Sequence, residues 1–110
     1  DRLATPLGES VDAGGATAVV GYNDVLALGA LAHMRTGGIA VPGRVSVVGF
    51  DDSHEASLAG LTSYNFNSEA AIALLVGHVV AGPGRRSGGP QVDLVEGYVT
   101  ERASSGPAPG

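Results

Sequence analysis

The sequence predicts an α/β fold built on a parallel, Rossmann-like sheet, and three observations carry that prediction. The first is Val45-Ser46-Val47-Val48-Gly49-Phe50-Asp51-Asp52, a short β-branched run ending in two adjacent carboxylates. A buried parallel strand that delivers acids to the rim of its sheet reads this way. The second is an earlier run of the same design, Thr17-Ala18-Val19-Val20-Gly21-Tyr22, which ends in Asn23-Asp24. The third is the helical composition between the two runs: strand, helix and strand make a βαβ unit, whose crossover sets the strands parallel. Asn23 and Asp51 then reach the same edge, where open α/β sheets bind ligands.

Taken in order, Thr5-Pro6 fits an N-cap and first helical position, and Leu7 and Val11 follow at helical spacing before Gly14-Gly15, so a short helix is expected there. Residues 24–36 are the strongest helix, capped by Asn23 or Asp24 and stopped by Gly37-Gly38. Val25, Leu26, Ala27, Leu28, Ala30, Leu31, Ala32 and Met34 leave it almost no polar face. Such a helix is buried on more than one side, against its own sheet and against either a second subunit or domain or, alternatively, the rest of a well-covered monomeric core. Pro42-Gly43 turns the chain into the central strand. Residues 53–61 suit about two turns of helix, and residues 61–67 read as extended. A second clear helix runs from Glu69 to about Val80, capped by Ser68 or Asn67, with Ala71, Leu74, Leu75, His78 and Val79 along one side. Residues 92–99 alternate like a half-exposed strand. From Ala103 the composition is Ala, Ser, Gly and Pro alone, and a disordered tail is expected over residues 103–110, leaving residues 1–102 as one unit.

Composition narrows the function classes. At 110 residues the chain is at most one domain. Cysteine is absent, so there is no disulfide framework, thiolate nucleophile or cysteine zinc site. A net charge of -5 with no lysine argues against a nucleic-acid footprint in this segment, because duplex binding depends on clustered cations. No apolar run approaches the roughly 20 residues that span a bilayer, and the expected location is the cytoplasm.

For Asn23 and Asp51 two readings compete. A carboxylate that accepts and an amide that does both suit the vicinal hydroxyls of a sugar or ribose, whereas the alternative is helix capping. Asp24 and Asp52 are assigned to capping, since each starts a helix. A phosphoacceptor or magnesium site at Asp51-Asp52 would need a cationic partner, typically lysine, for its phosphoryl group. Residues 82–89 are Gly-rich but follow a helix and lack the Walker lysine, so a loop is expected. His33, His54 and His78 stand at unrelated spacings, which predicts no metal site, and no nucleophile or triad pattern argues for an enzyme or a cofactor.

The blocks Thr17-Ala18-Val19-Val20-Gly21-Tyr22-Asn23-Asp24, Leu26-Ala27-Leu28-Gly29-Ala30-Leu31, residues 37–52 (GGIAVPGRVSVVGFDD) and Leu61-Thr62-Ser63, in this order, resemble the lactose/galactose-repressor (LacI/GalR) family of bacterial transcription regulators. The resemblance implies the second half of a periplasmic-binding-protein-like (type I) effector domain. Helix-turn-helix, hinge helix and first subdomain would lie outside it. It implies effector contacts at Asn23 and Asp51, and places residues 64–67, with Tyr64 and Asn65 as further contacts, near the ligand at the crossover between subdomains. It also implies a homodimer interface at Leu28, Ala32, Ser53, Ala56 and Ser57. The expected ligand is a small sugar-like or nucleoside-like molecule, and DNA would be bound only through the helix-turn-helix. A periplasmic sugar-binding transport receptor and a receiver-like phosphoacceptor module are the alternatives.

If Leu28 is interfacial, Leu28→Asp puts an unpaired charge into an apolar contact and should dissociate the dimer. Sedimentation velocity reads this directly, and an unchanged profile would remove Leu28 from the interface.

Overall fold

The two apolar runs form neighbouring strands, β1 (Ala18–Val20) and β2 (Ser46–Phe50), paired in parallel with Ala18 opposite Ser46 and Val20 opposite Val48. Residue 11, residues 15–82 and residues 92–110 are described in this computed structural model. The expected first helix and the Gly-rich loop therefore lie outside the described residues, apart from Val11, which is fully buried. Between the strands runs α1 (Asp24–Thr36), and after β2 come α2 (His54–Ala59), β3 (Thr62–Asn65), α3 (Ser68–Ala81) and β4 (Tyr98–Thr100). The sheet order is β1-β2-β3-β4, with β2 and β3 parallel and β3 and β4 antiparallel.

Period-two alternation sorts the sheet into two faces. In-register neighbours Val19, Val47, Gly49 and Ser63 look toward α1 and α2. There Val47 joins Ala27, Leu31, Met34, Val45, Ala56 and Leu61 in the core, with Val19 packed against it. Full burial of Leu31, Met34 and Leu61 contributes about 1.5–3 kcal/mol each. Val20, Val48, Phe50 and Tyr64 occupy the opposite face, where none of them is fully buried.

α1 keeps the predicted bounds, and its buried residues Asp24, Ala27, Ala30, Leu31 and Met34 form one stripe. Val25 and Leu26 are exposed on its other side. Leu28 is partly buried against the chain's own core and Ala56 lies wholly inside it, which removes Ala56 from any exposed interface. At α2 the stop is Gly60, whose φ of 71° is the left-handed conformation that glycine adopts without strain.

Three expectations change. The tail from Ala103 is ordered where it meets the sheet: Ser104 is fully buried between β2 and β3. Its Oγ donates to the Val47 carbonyl (2.6 Å) and accepts from Thr62 N–H (2.8 Å), and its own carbonyl accepts from Val47 N–H (2.8 Å). Ser105 and Gly106 add bonds to Thr62 and Ser46. Small polar residues that composition reads as disorder thus satisfy backbone groups in a gap between strands. The strand expected over residues 92–99 is confined to Tyr98–Thr100, because only β3's Ser63, Tyr64 and Asn65 offer it an edge. Finally, α3 has no buried residue, with Ile72, Leu75, Val79 and Val80 all exposed, so the apolar side that carries Leu74, Leu75 and Val79 is left uncovered by the described residues. No helix among the described residues is long and apolar enough to cross a membrane.

Ser104→Ala would leave Thr62 N–H and the Val47 carbonyl without these partners in the sheet interior. A loss of about 1–3 kcal/mol is expected from urea unfolding midpoints. An unchanged midpoint would mean that the tail contributes nothing to the fold.

Candidate functional site

At the carboxyl ends of β1 and β2 the chain makes two sharp exits. After β1, Asn23 is extended and its Oδ1 accepts from Leu26 N–H at 3.0 Å, so Asn23 is the N-cap of α1 and its amide NH2 is left for other partners. After β2, Asp51 and Asp52 both take positive φ, 115° and 51°. Such backbone costs on the order of 1–3 kcal/mol in non-glycine residues and persists where the surroundings hold it. Here the hold is explicit: Asp51 N–H donates to the Tyr64 carbonyl (2.9 Å), Asp52 N–H to Ser63 Oγ (2.9 Å), and Ser53 N–H to Asp24 Oδ2 (2.7 Å).

Asp24 is therefore no cap. It is buried, and its second oxygen accepts from Ser63 Oγ at 2.5 Å, which ties the start of α1 to β3 and to the turn after β2. Gly49 makes room for it, since a Cβ there would collide with Asp24 Oδ1. Asp52 is not a cap either; Ser53 caps α2 by accepting from Ala56 N–H at 3.1 Å. With φ positive, the Asp52 carboxylate turns instead to Arg102 (2.6 Å), Thr100 (2.9 Å) and Asn65 (3.0 Å). Burial alone would raise the Asp52 pKa, but the bonds from Asn65, Arg102 and Thr100 and the Arg102 charge outweigh it and hold the carboxyl below its usual value.

These supports leave Asn23 and Asp51 together in an open cleft of about 700 Å³, lined also by Val20, Gly21, Tyr22, Phe50 and Phe66. Asp51 is exposed, and its carboxylate takes no hydrogen bond from the described residues. Of residues 64–67, expected near the ligand, Phe66 lines the cleft and Tyr64 and Asn65 do not. Asn65 is engaged by Asp52 and by Asn67 N–H (2.7 Å), and Tyr64 packs into an aromatic cluster. In that cluster Phe50 meets Tyr64 at 5.7 Å and Phe66 at 6.0 Å, and Tyr64 sets its edge against Phe66 at 5.0 Å. Such pairs contribute about 0.5–1.5 kcal/mol each beyond their buried area.

Sequence reasoning did not single out Phe50, Tyr22 or Arg102. Strand parity could have found the first, since Phe50 shares a face with Val48. Arg102 carries no local signal, being 50 residues from its carboxylate. His78 Nε2 lies 2.7 Å from Asp93 Oδ2, and no group of three potential ligands for a metal occurs among the described residues.

Residues 2–105 match a family described as the periplasmic binding protein-like domain. An HTH-type transcriptional regulator of Mycolicibacterium smegmatis (strain ATCC 700084 / mc(2)155) is 40% identical over 91 residues, covering 83% of this chain and 24% of the regulator. The fold is similar to a LacI-type transcription regulator from Bifidobacterium animalis subsp. lactis DSM 10140, with a TM-score of 0.75, 28% identity and coverage of 94% of this chain and 38% of that one. A sugar-binding transcriptional regulator (LacI family) from Escherichia coli, complexed with phosphate, gives a TM-score of 0.69 at 28% identity, covering 89% and 36%. The chain thus spans about a quarter of the first of these regulators and little more than a third of the two structures.

Because the Asp52 pKa is lower in the folded chain than its unfolded value of about 3.9, its ionised form stabilises the fold above that value. That contribution is lost as pH falls through the lowered folded pKa. In urea titrations from pH 6 downward, the gap between wild type and Asp52→Asn should narrow below about pH 4, whereas parallel curves would show that the Arg102 pair is not linked to stability.

Proposed function

This chain belongs to the periplasmic binding protein-like domain family, and from that membership we propose that it is the effector-sensing and dimerisation part of a LacI/GalR-type transcription regulator. The carrying observation is that Asn23 and Asp51, on separate strand exits, line one cleft at the carboxyl edge of a parallel sheet. A ligand hydroxyl would donate to the Asp51 carboxylate and a neighbouring one would accept from the Asn23 amide, which is the recognition chemistry of a sugar or ribose. Regulators among the relatives favour this reading over a transport receptor. A phosphoacceptor is disfavoured because Asp24 and Asp52 are occupied within the chain and no lysine exists to hold the phosphoryl group.

In the intact regulator, ligand held between this edge and a second lobe would favour one arrangement of the lobes. The population of dimers able to bind DNA through a helix-turn-helix outside this chain would shift by the difference in affinity between the two arrangements. The helix α3, largely apolar and with no buried residue, suits burial against that second lobe. The homodimer contact is assigned to Leu28 and Ala32 of α1 with Ser53 and Ser57 at α2, beside the exposed Val25 and Leu58. The protein's site of action is then the cytoplasm, with its operator.

The test is a 15N-1H correlation spectrum of the 110-residue chain titrated with D-galactose, D-glucose, D-ribose and adenosine. Saturable shifts at the Asn23 amide and at residues 49–52 are expected for at least one probe. Asp51→Asn should weaken that binding about tenfold or more, as for a hydrogen bond to a charged group, while retaining a residue type that tolerates positive φ. Spectra unchanged by every probe, or undiminished binding by the variant, would refute the reading.

A further inference from the structure

At the end of the sheet opposite the cleft, β2 and β3 part. Thr62, the first residue of β3, is in register with Val48, so Ser46 and Val47 extend beyond it, and Leu61 N–H turns away to the Ala56 carbonyl of α2. The gap is filled by a later stretch of the chain. Ser104 N–H donates to the Gly60 carbonyl (3.0 Å), its carbonyl and Oγ engage both backbone groups of Val47, and its Oγ also accepts from Thr62 N–H. Gly106 N–H donates to Ser46 Oγ (3.1 Å), and the hydroxyls of Ser105 and Thr62 are 2.6 Å apart. Arg102 leads into the gap with bonds to the Leu61 carbonyl (2.8 Å) and to Asp52 (2.6 Å).

Side chains decide what fits there. A hydroxyl donates and accepts at once, so serine bridges the Val47 carbonyl and Thr62 N–H, and alanine would do neither. At position 106 a Cβ would come within 3.3 Å of Pro42, which favours glycine. Of residues 98–106 only Ser104 is buried, and Tyr98 and Val99 are 52% and 57% exposed. The stretch is therefore held by hydrogen bonds and one ion pair, with no buried apolar side chain as anchor. Bonds of this kind contribute modestly, because water replaces them on release.

We propose that the gap is a peptide-acceptor groove for an extended Ser-Ser-Gly segment, and that residues 98–106 of a second copy fill it in exchange for the chain's own. The proposal is independent of the effector reading, since the groove lies at the amino ends of the strands and Asn23 and Asp51 at the carboxyl ends. Recognition follows strand addition: main-chain bonds supply affinity and side-chain positions supply selectivity. A second copy makes the same contacts, and only the connection changes hands. Residues 82–97 form that connection, which at roughly 3.3 Å per residue reaches on the order of 50 Å when extended. The chain's own segment competes at an effective concentration on the order of millimolar, so exchange grows with chain concentration and with any weakening of the internal bonds.

The experiment titrates the full 110-residue chain into a synthetic peptide of residues 98–110 carrying an amino-terminal fluorophore, read by anisotropy. Saturable binding is expected, displaced by excess unlabelled peptide. Ser104→Ala is then placed on each side in turn. In the peptide it removes both hydroxyl bonds and should weaken binding about tenfold. In the chain it weakens the internal competitor and leaves the groove intact, so the wild-type peptide should bind about tenfold tighter. A purely structural role for Ser104 does not predict that reversal of sign. Ser105→Ala, which loses the bond to Thr62, should give the same reversal at about threefold and serves if the Ser104→Ala chain does not fold. Light scattering after size exclusion reads exchange between copies: the dimer fraction at high chain concentration should fall as unlabelled peptide is added. No saturable binding, or substitutions acting in the same direction on both sides, would overturn the groove. A dimer fraction indifferent to the peptide, or a chain that stays monomeric at about millimolar concentration, would overturn the exchange.

Discussion

The geometry of the rim depends on one carboxylate. Asp24 stands at the first position of α1, buried, with one oxygen on Ser63 of β3 and the other on the backbone of Ser53 after β2. Hydrogen bonds to a charged acceptor contribute about 1.5–3 kcal/mol each, enough to offset the backbone strain at Asp51 and Asp52. The contact exists because β2 carries glycine at position 49, where a Cβ would occupy the space of the carboxylate oxygen. Two exits from the sheet are thereby held against β3 in one arrangement, and the two side chains that face the cleft, Asn23 and Asp51, are close neighbours of groups inside that knot.

A second layer supports the first. Asp52, Arg102, Thr100 and Asn65 form a charged and hydrogen-bonded set that links the exit of β2 to β3 and β4. It draws on a residue 50 positions away along the chain, and so couples the antiparallel edge strand to the parallel half of the sheet. The division of labour is clear in the two adjacent acids: Asp52 is held by partners within the chain, and Asp51 points its charge at the cleft. The same parity that separates core from open face along β2 puts Phe50 on the open side, continuous with Tyr64.

What was legible in the sequence was local. The βαβ unit followed from two β-branched runs and an apolar helix between glycine stops, and α1 begins and ends where its cap and its glycines put it. Asn23 and Asp51 were found because strand ends in such a unit share an edge. Misassignments arose where the deciding partner is distant or where backbone conformation overrides residue preference. Asp24 and Asp52 look like caps by position, but the neighbouring Asn23 and Ser53 take that role, and the two acids bond to residues 11 to 50 positions on. Ala56 reads as a surface helix residue until α2 is docked on the sheet. The amphipathic side assigned to the second helix has no counterpart, because apolar content says that a helix needs covering without saying by what.

Ser104 has a consequence in time. Its hydroxyl completes the backbone bonding of Val47, 57 residues earlier, so the middle of the sheet waits for residues joined long after it. At about 5–20 residues per second, a ribosome that has just added Val47 needs roughly 3–11 s to reach Ser104, and longer to clear it from the exit tunnel. During that interval β2 and β3 can pair only along part of their length, with the gap between them open to water or to another chain. Native closure of this sheet lags the synthesis of β2 by at least that interval, and the vulnerable species is one in which β2 and β3 are made and Ser104 is not.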